Sequence, residues 1–354
     1  MTVFWFNLGF VYLFSTLARY FARPPLLSVA VKPRLLYIVP AFMCMLLVAG
    51  LQNNIGDTVY YMHTFEITEF TWEDIRSGKD VGFNFFQMAL QGFSKDPQVL
   101  IFATALITNL LIVVTFYQYS RVFELSLYVY ITSGLFLVSM NGIRQFLAAA
   151  IIFSATKYLI EGKWKTYMLI VLIAATIHQS ALILIPIYFV VRRKAWTATT
   201  LVFLLLSILL VLGYGQFSTV LFSAIESTQY GHYKDFQEGG ANALRLIVYG
   251  IPILLAYLGR ERLRTICPYS DYIVNLSILT FIFMLISTQN WIFARMTIYL
   301  GLYNVILISW ICKVFAEKDQ KLIYYGILGC YLVYFYYEHV ISLGMNYRSE
   351  YLSW

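Results

Sequence analysis

The feature that most constrains this chain is a succession of apolar runs, each close to the length a helix needs to cross a bilayer. Pro97 to Gln118 carries no charged residue, and about 20 apolar residues in helical form span the hydrocarbon. Of 354 residues, 60% are hydrophobic and 12% charged, against about 25% charged in a soluble protein. A globular core cannot hide that much apolar surface, whereas lipid removes the need to hide it. The expected fold is an all-α polytopic integral membrane protein. The net charge of +7 does not point to nucleic acid, because Lys and Arg sit in short clusters between apolar runs, the pattern that holds loops in the cytoplasm. Cys44, Cys267, Cys312 and Cys330 are scattered in or beside these runs, so no disulfide framework, metal site or cofactor is expected.

Charge parity then sets a topology. The run Val3 to Leu17 precedes Arg19 and Arg23, which reads as a retained first span with its N-terminus outside rather than a cleaved signal peptide. Counting onward gives about ten transmembrane helices in a single multi-pass domain, 1–354, with both termini outside. Large outer loops are expected at about 52–96 and 218–244. In the first of these, acids outnumber bases, and the apolar stretch Phe83 to Phe93 is too short to cross and is expected at the interface. Tyr167 to Val191 is bracketed by Lys163 and Lys165 on one side and Arg192, Arg193 and Lys194 on the other. A single crossing would export that triplet and, with it, Arg260, Arg262 and Arg264. A re-entrant helical hairpin turning near His178 keeps every cluster inside, and the polar interruption Ala174-Ala-Thr-Ile-His-Gln-Ser-Ala181 supplies the turn.

Ionisable groups within or capping membrane segments cost several kcal/mol unless paired or wetted, so each is a candidate site. On this topology four groups fall in the outer half: Asn54 with Asp57, Asn141 with Arg144 and Gln145, His178 with Gln179, and Asn290 with Arg295. The covering loops carry Glu73, Asp80, His232 and Lys234. Each candidate has a plainer alternative. Arg144 alternatively snorkels to headgroups, His178 pins the hairpin, Asp57 caps the following helix, Arg295 neutralises an acid or a phospholipid, and Glu73 and His232 are solvated. Together the set suits one chemistry. Arginine clamps a diphosphate through bidentate, charge-assisted hydrogen bonds, and a nearby carboxylate or imidazole deprotonates an attacking sugar hydroxyl. A polyprenyl diphosphate is a good leaving group and does not strictly require a metal. Walker, GxGxxG, HExxH and GxSxG signatures are absent from the sequence.

The motifs Asn53-Asn-Ile-Gly-Asp57-Thr, Asn141-Gly-Ile-Arg-Gln-Phe-Leu-Ala148, Ile177-His-Gln-Ser-Ala181 and Ser287-Thr-Gln-Asn-Trp-Ile-Phe-Ala-Arg295 resemble those of the EpsG family, membrane proteins of bacterial exopolysaccharide operons. The resemblance covers most of the chain. It implies a Wzy-like polymerase joining undecaprenyl-diphosphate-linked repeat units at the outer face of the cell membrane, working with membrane lipid and other exopolysaccharide-synthesis proteins. Two departures stand out. Gln52 occupies a position where family members often carry Arg, and Asp80-Val-Gly-Phe83 lacks the usual Pro before its Gly.

The expected activity is an inverting, metal-independent glycosyl transfer. Arg144, Arg295 and Gln145 would hold the diphosphate, Asp57, His178 or Glu73 would serve in catalysis, and Asn54, Asn141 and Asn290 would contact substrate. A flippase for the lipid-linked repeat, a non-catalytic scaffold of the synthesis complex and a polymer acyltransferase are the rival functions. The flippase would need a cationic cavity open alternately to both faces, whereas the candidates lie on one.

Overall fold

The computed structural model describes residues 1–22, 32–225 and 239–352. Arg23, His232, Lys234 and the stretch 226–238 of the expected loop 218–244 lie outside the described residues. The chain is 78% helical and has no strand among the described residues. Two helices, Gln98–Tyr119 and Trp291–Ile311, are long and apolar enough to cross a membrane, and five crossings result if each of three bent pairs is one span. Five further apolar helices of 10–17 residues fall short of that length. Runs that read as continuous in the sequence are cut by local backbone breaks. Leu125 to Met140, for example, divides into Phe123–Thr132 and Leu135–Asn141, bent by 56°, where Gly134 adopts φ +86° and the ring of His339 fills the space a Cβ would need.

Packing groups the chain into two compact units, Met1–Phe189 with Ile308–Trp354, and Val190–Leu307. In the first, Thr2–Tyr20 packs on Leu35–Gly50, which packs on Gln98–Tyr119, and that helix in turn packs on Ile143–Ser154. Contacts sort the ends of these helices. At one end Arg19 Nε pairs with the fully buried Glu124 at 2.6 Å, and Trp310 Nε1 donates to Tyr119 O at 2.7 Å. Tyr12 and Tyr324 hydroxyls meet there at 2.7 Å. At the other end Asn53 N donates to Arg348 O at 3.1 Å and Tyr351 Oη to Asp96 at 3.3 Å. These contacts put Arg19, Glu124 and Trp310 at one end of this unit and Asn53, Asp96 and Arg348 at the other.

The segment around His178 reverses direction. Trp164–Ile177 ends at His178, a 3₁₀ turn covers Gln179–Ile183, and Leu184–Val191 is helical again. The rings of Tyr167 and Tyr188 lie 5.0 Å apart, whereas 21 residues of straight helix would separate them by roughly 31 Å.

In the second unit, Ser270–Ile286 packs against Ala198–Leu212 and Ala243–Leu258. At one end Arg264 pairs with Asp271 at 3.2 Å and with Glu261 at 3.0 Å, and Arg192 lies over the Tyr272 ring. Asn275 Nδ2 donates to the carbonyls of Val191 and Arg193 at 3.0 and 2.8 Å. At the other end Trp291 N donates to Gly239 O at 3.2 Å.

Cysteines replacing Tyr167 and Tyr188, in a protein with Cys330 changed to Ser, are expected to be joined by a short membrane-permeant bis-thiol reagent. A straight segment would leave them beyond its reach, and no intramolecular product would form.

Candidate functional site

The Asn53–Thr58 turn begins with a side chain rather than with a helix. Gln52 is fully buried, and its Oε1 accepts from the backbone N–H groups of Asn54 and Ile55 at 3.1 and 3.0 Å. Its Nε2 donates to Thr58 Oγ1 at 2.8 Å, and Thr58 in turn donates to Ile55 O at 2.7 Å. Glutamine at this position therefore ties the turn internally. The turn docks on the end of Leu135–Asn141, where Asn141 Oδ1 accepts from Asp57 N at 2.9 Å. Gly56 has φ +54°, and a Cβ there would collide with the Asn141 side chain. Two motifs separate in sequence are thus one contact.

Asp57 occupies the cap position of Thr58–Ile67, but its side chain makes no capping hydrogen bond and is exposed. Asn54 is held on the C-terminal segment: its Nδ2 donates to Asn346 O at 3.1 Å and its Oδ1 accepts from Arg348 N at 2.7 Å. Glu73 is exposed on the short helix Trp72–Ser77.

Arg144 opens Ile143–Ser154 immediately after the break at Gly142. Its Nη1 pairs with Asp80 Oδ2 at 2.9 Å and its Nε donates to Tyr61 Oη at 3.3 Å. The guanidinium also lies over the rings of Tyr61 and Phe83, 5.4 and 5.8 Å from their centroids. Those rings belong to an apolar cluster with Phe65, Leu100, Ile101 and Ile143, which anchors the polar 52–91 segment to the helices beneath. The Arg144 side chain remains 35% exposed while Asp80 is 13% exposed. Guanidinium carries five N–H donors, and two of them are assigned among the described residues.

Asp80 is the residue the sequence reading placed only in a covering loop. Burial raises its carboxyl above the ordinary carboxylate value, opposed first by the charge of Arg144 and then by the backbone N–H of Gln179. Its Oδ1 is buried and makes no hydrogen bond. Asp80 therefore takes up a proton at higher pH than an exposed aspartate, and acidification discharges the Arg144 pair early. Gly82 seats this loop against the His178 turn, since a Cβ there would strike Thr176. Ser180 lies at hydrogen-bonding distance from His178 Nδ1, 2.7 Å, and accepts from Gln145 Nε2 at 3.5 Å. In the first unit Arg144 thus meets Asp80 and Tyr61, Gln145 and His178 share Ser180, and Asn141 holds the backbone of Asp57. Nothing in hydropathy or charge parity singles out Asp80 or Tyr61; the close-packed Gly82 was the one available signal.

Asn290 and Arg295 belong to the second unit. Asn290 caps the 3₁₀ turn Trp291–Met296, its Oδ1 accepting from Ile292 N at 3.0 Å. Arg295 lies over the Trp291 ring, 4.7 Å from its centroid.

A family model described as the EpsG family matches residues 35–351 of the chain. The chain belongs to the EpsG family. The match includes all the motifs just described, and with the apolar helices it identifies a membrane protein of exopolysaccharide biosynthesis. No curated protein and no solved structure matches the chain. In this EpsG-family chain the Asn-Asn-Ile-Gly-Asp and Asn-Gly-Ile-Arg-Gln motifs are built to meet each other.

Gly56→Ala is expected to destabilise the protein by about 1–3 kcal/mol, through a left-handed backbone that alanine resists and the displaced Asn141. Thermal unfolding in detergent should show a lowered Tm for Gly56→Ala and none for Gly9→Ala, where a Cβ meets nothing within 4 Å. Equal Tm values for the two variants would contradict the contact.

Proposed function

We propose that this chain is the polymerase of its exopolysaccharide, transferring a growing glycan from its polyprenyl diphosphate carrier to the next lipid-linked repeat at the outer face of the cytoplasmic membrane. In this reading about ten helices cross, the His178 turn re-enters from the inside, and both termini lie outside. The observation that carries it is Arg144: an ordered, part-exposed guanidinium with three N–H donors unassigned and one carboxyl partner that burial biases toward its protonated form. A diphosphate brings more negative charge than Asp80 and matches the guanidinium fork. Gln145, joined to Ser180, positions the diphosphate beside it. Asp57 is the better base, because its carboxylate is exposed and makes no capping bond, whereas His178 is joined to Ser180 within the turn. Arg295, stacked on Trp291, is the matching cation of the 190–307 unit. The partners in this scheme are an undecaprenyl-diphosphate-linked oligosaccharide, membrane lipid and the other synthesis proteins.

Arg144→Ala is expected to lower polymer formation by about 10²–10³-fold, the loss typical of one transition-state donor, with protein level unchanged and single lipid-linked repeats accumulating on the outer leaflet. Polymer of undiminished length would refute the assignment, and repeats trapped on the inner leaflet would indicate a flippase instead.

A further inference from the structure

A cavity in the first unit lies beside the Asn53–Asp57 turn, and Arg144 does not line it. It has a volume of about 590 Å³ and is lined by Asn53, Val59, Tyr347, Arg348, Ser349 and Leu352 among others. That volume lies in the range of small-molecule sites, about 300–1,000 Å³. Its walls are fixed. Asn53 N donates to Arg348 O at 3.1 Å, and Arg348 N and Asn346 O both bond the Asn54 amide. Tyr347 is held by its hydroxyl on Val48 O at 3.1 Å and by its ring against Phe4, with centroids 5.7 Å apart.

The functional ends lining this rigid frame are not committed. The side chains of Asn53 and Arg348 make no hydrogen bond or ion pair among the described residues, and Arg348 is exposed. The same cavity is lined by the apolar side chains of Val59 and Leu352 and by Tyr347. A lining that combines an amide and a guanidinium with apolar side chains and an aromatic residue matches a sugar: hydroxyls along its edge and C–H groups on its face. A bare lipid tail would leave Arg348 and Asn53 unsatisfied. A diphosphate would leave the apolar side chains unused.

We infer that this groove binds the saccharide of the acceptor repeat, an inference that rests on the polymerase reading above. The chain itself links the groove to the Arg144 cation. Asn53 and Val59 line the groove, Asp57 stands between them in sequence, and Tyr61, two residues after Val59 on the same helix, carries the hydroxyl that accepts from Arg144. An acceptor sugar in the groove therefore presents a hydroxyl toward Asp57. The hydroxyl oxygen forms a bond to the anomeric carbon of the donor glycan, and the bond from that carbon to the diphosphate oxygen breaks. The bonding pair leaves with the polyprenyl diphosphate, and the hydroxyl proton passes to the Asp57 carboxylate.

The test uses the full-length protein in nanodiscs and, as probe, the oligosaccharide repeat released from the cell's own exopolysaccharide by partial hydrolysis, with binding read by saturation-transfer NMR and titration calorimetry. Arg348→Ala and, separately, Val59→Trp, which fills the groove from a 60% exposed position, are expected to weaken oligosaccharide binding at least tenfold. Their Tm should stay at the wild-type value, and Arg144→Ala should retain the oligosaccharide affinity. Unchanged binding in both groove variants would overturn the inference, as would a groove that takes inorganic diphosphate but no oligosaccharide. Failure of the polymerase reading shows elsewhere, as full-length polymer made by Arg144→Ala, so the two failures are told apart.

Discussion

Helix breaks inside an apolar medium must find their hydrogen bonds within the protein, because no bulk water is there to supply them. In this chain amide side chains supply many of them. Gln52 caps the N–H groups of Asn54 and Ile55, Asn141 takes the N–H of Asp57, and Asn290 takes that of Ile292. Gln98 donates to the carbonyls of Gly50 and Gln52 at 2.7 and 3.2 Å, and Asn275 serves those of Val191 and Arg193. An amide offers donors and acceptors without charge, so it can bridge both kinds of orphaned backbone group at little desolvation cost. The breaks that make the site are stable for this reason, and the side chains left over at them are the ones available for chemistry.

This division of labour redistributes the roles that residue type alone suggests. Asn54 and Asn141 look like substrate contacts in the sequence, yet both bond backbone groups that would otherwise be orphaned. Their contribution is to hold Asp57 and Arg144 in place. Gln52 shows the same logic. A buried amide here closes the turn on itself, and the nearby cation Arg144 has its own counter-charge in Asp80.

Much of the architecture is legible in the sequence because two strong signals coincide. Long apolar runs give the helices, and charge clusters lead to the expectation that Arg19, Arg34 and Arg121 lie apart from Asp57, Arg144 and His178; the contacts of Arg19 and of the Asn53–Asp57 turn fall at different ends of the first unit. The turn at His178 was legible for the same reason, since Lys163 and Arg192 bracket it with one sign of charge. The break at Gly134 was not legible, because it interrupts the helix without changing the hydropathy. Asp80 escaped for a different reason. Its meaning comes from Arg144, which lies 64 positions away, and no periodicity encodes a pairing at that distance. Arg348 is similar: it gains significance from the cavity wall that Asn54 builds.

The state of Arg144 also explains why a cation can wait at such a site without a ligand. An unpaired guanidinium that is largely buried would be costly, and a fully saturated one could not accept a substrate. Asp80 supplies one bond to Arg144 Nη1, and the rings of Tyr61 and Phe83 supply diffuse stabilisation from the other side. The partner is a carboxyl that burial already disfavours in its charged form. When a more highly charged anion takes over the guanidinium, Asp80 need not remain as a stranded charge, because protonation offers it a neutral state. The pair therefore holds the cation in order and yields it without leaving a second unsatisfied ion behind.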